Sequence, residues 1–122
     1  MFVSGHADQL ARVVGNLLDN AARFARSSVQ LALTTDGHTA RLVVDDDGPG
    51  IAAHDRERVF ERFTRLDQSR ARDVGGAGLG LALAKGIIER HGGTIRIDDS
   101  PLGGARAVVE LPLARVRIAT QG

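Results

Sequence analysis

The chain has no cysteine, which removes disulfides and thiolate metal sites and is compatible with a reducing compartment. It has no apolar run near the roughly 20 residues that a membrane-spanning helix requires, and no basic-then-apolar signal pattern at its start. As given, the chain reads as soluble. A charge excess is missing too: 16 basic residues stand against 15 acidic ones, a formal net charge of +1. General nucleic-acid binding is therefore disfavoured, and any bound anion must be held by local placement. Internal repeats and low-complexity linkers are absent. What is present is 122 residues with 43% hydrophobic and 25% charged side chains. That is one globular domain, large enough to bury a core and too short for two.

Apolar residues at Leu10, Val13, Val14, Leu17, Leu18, Ala21, Phe24 and Ala25 recur at helical spacing and predict a helix over 7–26 with one buried stripe. The stretch "VQLALTTDGHTARLVVDDDG" predicts two strands around Asp36-Gly37, a favoured hairpin turn. A short helix is expected over 54–62 with Asp55 as its cap, then a mobile loop over 64–78, a length that usually signals function. A helix over 79–90 is closed by His91-Gly92-Gly93, where a left-handed cap suits glycine. Strands over 94–98 and 105–113 flank a turn at 101–104, and 2–4 reads as the end of a first strand, 114–122 as a tail. The class is α+β, one sheet covered on one face by helices.

Three constellations carry chemistry. The first is "GGAGLG" at a helix start, which is neither a P-loop nor the dinucleotide fingerprint: Lys85 precedes Gly86 rather than following a glycine, and the sixth position from Gly76 or Gly78 is Leu81 or Leu83. Bare amides at the positive end of a helix favour an anion, although a glycine hinge without ligand fits equally. The second is Asn16, Asn20 and Arg23, which at about 100° per residue fall within an arc of roughly 60° beside the apolar stripe. Asparagine oxygens suit Mg²⁺ and the guanidinium suits phosphate; beside a glycine loop, that reading outweighs a solvated helix edge. The third is "VVDDDGPGI", where a buried-strand pattern ends in carboxylates. Valine at position 43 excludes a helix-loop-helix calcium loop. Asp46 is placed to accept a hydrogen bond from an exocyclic amine, with Asp45 and Asp47 expected to be solvated.

Together these stretches resemble the catalytic, ATP-binding domain of bacterial sensor histidine kinases, in the superfamily that includes gyrase, heat-shock chaperone and mismatch-repair ATPases. "LARVVGNLLDNAARFA" looks like the N box, "DDGPGI" the first glycine box, "RVFERFTRLD" the phenylalanine box and "GGAGLGLALAKGIIERHGGTI" the second glycine box, spanning 5–113. The resemblance implies a two-layer sandwich: a mixed sheet of about five strands, three helices on one face and a flexible ATP lid. It implies that Asn16 and Asn20 hold Mg²⁺ and phosphates, that Arg23 is a basic phosphate ligand and that Asp46 reads the adenine amine. Gly48, Gly50 and Ile51 would shape the adenine pocket. Phe60 and Phe63 would pack the lid root, Arg65 and Arg70 reach the γ-phosphate, and Gly76, Gly78, Leu79, Gly80 and Leu81 wrap the nucleotide.

In hydrolysing relatives a glutamate one helical turn before the Mg²⁺ asparagine activates water, and here that place is Asn16. An amide is no base, whereas a neutral imidazole acceptor already carries a lone pair. The resemblance therefore implies phosphoryl transfer from ATP to a histidine, with slow hydrolysis. The family's acceptor lies in a dimerising two-helix segment with a His-Glu pattern, and none of His6, His38, His54 or His91 precedes a glutamate. His38 reads as a turn residue and His91 as a helix-end residue. The chain is expected to be an excised, monomeric catalytic domain or half of a split system. Its partners would be a dimerisation and phosphoacceptor domain and a response regulator, on the cytoplasmic side of a membrane-anchored sensor. The alternatives are a related anti-sigma serine kinase and a degenerate domain that no longer binds nucleotide.

Overall fold

The computed structural model describes residues 7–61 and 77–113. The expected first strand at 2–4, the loop core at 62–76 and the tail at 114–122 lie outside these. Helix α1 (Ala7–Phe24) buries Val13, Leu17 and Ala21, the helical-period stripe of the sequence. It ends two residues short of the expected boundary because Asp47 captures the chain: its Oδ1 accepts the backbone amides of Arg26 (2.7 Å), Ser27 (3.0 Å) and Ser28 (3.1 Å). Those donors are drawn to a carboxylate instead of a further helical turn.

Strands β1 (Val29–Thr35) and β2 (Thr39–Asp46) form the expected hairpin. Gly37 takes φ 97°, and Asp36 Oδ1 accepts the amides of His38 (2.9 Å) and Thr39 (2.8 Å). Helix α2 (Ala77–Arg90) starts two residues before the sequence expectation. It closes as expected at Gly92, φ 80°, with His91 Nδ1 against the Ile87 carbonyl oxygen at 2.8 Å. Strands β3 (Thr94–Asp99) and β4 (Ala105–Pro112) complete a sheet of order β1-β2-β4-β3, antiparallel throughout. Among the described residues the sheet thus has four strands and no parallel pair, where a mixed sheet of about five was expected.

The helix expected over 54–62 is instead two 3-10 turns, Ala53–Asp55 and Arg58–Phe60. Ala52 at its start offers no capping side chain, and Glu61 is already extended. Asp55 does not cap; its carboxylate lies 3.5 Å from Arg58 Nη1. Val59 and Phe60, both buried, pin the second turn into the core against α2. Both helices share one core with Val44, Ile95, Ile97 and Val109 on a single sheet face. Alternate residues Arg41, Arg96, Asp98 and Glu110 occupy the other face and form ion pairs there.

Candidate functional site

Two small adjoining recesses open where the C-terminal half of α1, the end of β2, the 47–51 loop and the start of β4 converge. Asn20, Asp46, Ile51 and Ala105 line both. Phe24, Pro49 and Gly50 complete the outer recess, and Leu17, Ala21, Val44 and Leu81 help to wall the inner one. A larger cavity of about 250 Å³ between α1 and the sheet is lined only by aliphatic side chains such as Leu10, Leu33, Leu42 and Leu111. Nothing there can orient a polar ligand, so chemistry rather than size singles out the smaller pair.

Asp46 is 5% exposed, and its position is overdetermined. Oδ1 accepts the amides of Gly48 (2.9 Å) and Ala105 (3.2 Å), and its backbone carbonyl accepts from Gly104 (3.1 Å). Two glycines make room for this arrangement. A Cβ on Gly48 would stand 2.1 Å from the Phe24 carbonyl oxygen, where α1 ends; one on Gly104 would stand 2.2 Å from Asp46 Oδ1. Gly50, at φ 76°, turns the loop back against Gly104.

On α1, Asn20 Oδ1 is buried and has no hydrogen-bond partner among the described residues. A buried oxygen left so carries a desolvation cost that a cation or donor from a ligand would remove. Asn16, one turn earlier, donates from Nδ2 to the Gly80 carbonyl oxygen at 3.2 Å, tying α1 to α2. Arg23 lies in the last turn of α1, exposed. Gly78, Leu79 and Gly80 are helical, and Leu81 is 1% exposed in the core. Phe60 is buried beneath Lys85, whose Nζ stands 5.3 Å from the ring centre. Phe63, Arg65, Arg70 and Gly76 lie outside the described residues.

The neighbouring carboxylates, expected from the sequence to be solvated, are both engaged by the chain, Asp45 buried and Asp47 half-exposed. Asp45 is buried, and a bidentate pair with Arg106 (2.8 and 3.0 Å) holds it. Burial pushes its carboxyl up, but the Arg106 and Ser100 hydrogen bonds together outweigh this and leave it below the usual range. Asp47, whose Oδ2 also accepts the Ser27 hydroxyl at 2.8 Å, is driven far below that range by the bonds from Ser27, Ser28 and Arg26. Of three consecutive aspartates, two are structural and one lines the recesses.

The arrangement offers a fixed carboxylate to an amine-bearing ring and a neutral amide oxygen to a hard cation. Residues 5–115 match the family described as "Histidine kinase-, DNA gyrase B-, and HSP90-like ATPase". The chain belongs to that ATPase family. Among known proteins, this domain is 51% identical over 104 residues to sensor protein RstB of Escherichia coli, covering 85% of the chain and 24% of RstB. The solved mycobacterial sensor histidine kinase MprB superposes with TM-score 0.78 at 39% identity, covering 93% of this chain and 78% of that one. The ATP-binding domain of PrrB from Mycobacterium tuberculosis gives 0.73 at 33% identity, covering 93% and 73%. The domain thus spans about a quarter of RstB's length. Among its described residues no helix is long and apolar enough to cross a membrane.

Sequence reading missed the backbone that fixes Asp46 in the recess wall, Gly104 and the Ala105 amide. The Gly103-Gly104 pair was visible as a turn, but its contact with Asp46 crosses the sheet and leaves no local signal. It also missed Arg56, whose Nε donates to the Ile51 carbonyl oxygen at 3.0 Å.

Proposed function

We propose that this domain binds ATP with Mg²⁺ and donates the γ-phosphoryl group to a histidine on a separate dimerisation domain of a two-component sensor kinase. The observation that carries the reading is the buried, unpartnered Asn20 oxygen in the same recesses as Asp46. The unpartnered Asn20 oxygen is a neutral hard donor, which fits an ion held jointly by amide oxygens and phosphate. Asn20 and Asn16 would hold Mg²⁺, which would neutralise charge on the phosphates.

Asp46 accepts the adenine amine, while Gly48, Gly50 and Ile51 shape the base pocket. Arg23 binds phosphate, Arg65 and Arg70 reach the γ-phosphate, Phe63 backs a lid, Gly76, Gly78, Leu79 and Gly80 wrap the nucleotide, and Leu81 walls the inner recess. The acceptor imidazole forms a bond to the γ-phosphorus as the bond to the ADP oxygen breaks. Asn16 places an amide, already bonded to Gly80, where hydrolysis would want a base. A response regulator then takes the phosphoryl group, and the full protein is a membrane-anchored sensor with this domain in the cytoplasm.

Calorimetric titration with a non-hydrolysable ATP analogue, with and without Mg²⁺, tests the reading. Saturable binding that Asp46→Asn abolishes is expected; no heat at millimolar ligand would overturn it. Given an acceptor domain, the phosphoprotein formed should be acid-labile, as phosphohistidine is, and an acid-stable product would point to serine instead.

A further inference from the structure

We infer that Arg56 is a positioning residue for the base end of this site, acting through the backbone of Ile51. The inference rests on the proposed nucleotide function. Ile51 walls both recesses, yet its placement is not secured by the residue before it: Gly50 sits at φ 76° in a region of wide backbone freedom. On its far side the 3-10 turn Ala53–Asp55 folds the chain back, and Arg56 Nε donates to the Ile51 carbonyl oxygen at 3.0 Å. Arg56 Nη2 donates to the Asp99 carboxylate at the end of β3. One rigid fork therefore ties the loop to the sheet across 43 residues of sequence.

The two halves of the fork carry unequal weight. Asp99 is 85% exposed on its side chain, and ion pairs in that setting contribute little. The bond to Ile51 comes from a charged donor whose side chain is only 24% exposed, and such bonds are the stronger kind. Asp99 serves to aim the guanidinium; Ile51 is what it holds. With Ile51 fixed, the ring of a bound base is pressed into register with Asp46, whose own position is already set by Gly48 and Ala105. Without the tie, Asp46 stays in place but Ile51 no longer fixes the ring against it.

A base analogue separates positioning from general stability. The Kd values of a non-hydrolysable ATP analogue and of the matching purine riboside analogue, which lacks the exocyclic amine, are measured for the unmodified 122-residue chain, Arg56→Ala, Arg56→Lys, Asp99→Asn and Asp46→Asn. In Arg56→Ala, affinity for the ATP analogue should fall about tenfold, the scale of one charge-assisted bond. The preference for ATP over the amine-free analogue should shrink toward that of Asp46→Asn. Arg56→Lys, which cannot bridge both acceptors, should recover part of the preference, and Asp99→Asn should cost about twofold or less. If Arg56→Ala is too unstable to assay, Arg56→Lys with an unchanged preference overturns the inference. So does Arg56→Ala if both ligands weaken in proportion or neither weakens. If the unmodified chain binds neither ligand, the nucleotide reading itself falls and takes the inference with it.

Discussion

Gly104 shows how little space a side chain has at the centre of the site. Gly104→Ala would put a methyl 2.2 Å from Asp46 Oδ1 and 2.6 Å from the Gly48 nitrogen, so the carboxylate has to leave its two amides. The expected outcome is a loss of about 1–3 kcal/mol in stability, read by thermal melting, with nucleotide binding lost alongside. Asp47 makes a different prediction. Its folded-state pKa lies below the ordinary value of 3.8, so its contribution is present above that pH and is lost as pH falls through the acid range. Asp45 shifts in the same direction. The melting temperature of the unmodified chain should therefore exceed that of Asp47→Asn at pH 7, and the gap should hold down to the ordinary value of 3.8 and narrow progressively only below it. A gap that widened in acid would contradict this assignment. Asp46 and Gly48 were legible in sequence because strand, carboxylate and turn adjoin in "VVDDDGPGI". Asp45 and Asp47 were misread because a carboxylate's partners, Arg106 for one and the amides after α1 for the other, lie far along the chain.

At the scale of elements, α1 carries both the core stripe and the amides, and these demands can be separated by mutation. Gly15 is exposed within the helix, and a Cβ there meets nothing within 4 Å. Gly15→Ala should raise stability by about 0.5–1 kcal/mol, a few degrees in melting temperature, with analogue affinity unchanged. Leu17, 2% exposed and walling the inner recess, should do the reverse: Leu17→Ala should cost about 2–5 kcal/mol. The long elements were legible because a 3.6-residue or two-residue period runs through each. The 53–60 segment was not, since its two buried residues are adjacent and follow no helical period. There tertiary anchoring of Val59 and Phe60, rather than local preference, sets the backbone.

For the whole molecule, the proposed division of labour predicts what the chain does alone. Incubated with ATP and Mg²⁺, it should hydrolyse slowly and acquire no stable phosphate on its own histidines. Rapid turnover by the pure domain, or label on His91, whose ring is held against the Ile87 carbonyl, would contradict that. Both hairpins could be read from turns and alternation, but their union could not, because it depends on β4 pairing with β2 across the intervening helix. The resulting order, β1-β2-β4-β3, places the last described strand between two earlier ones. During synthesis the ribosome releases β2 well before β4, with α2 and β3 made in between, so the second edge of β2 waits unpaired, whereas β3 is followed across a short turn by its own partner. The nascent domain therefore closes its sheet in a single late step, and a translational pause before residue 105 would leave the β2 edge open to chaperones or to neighbouring nascent chains.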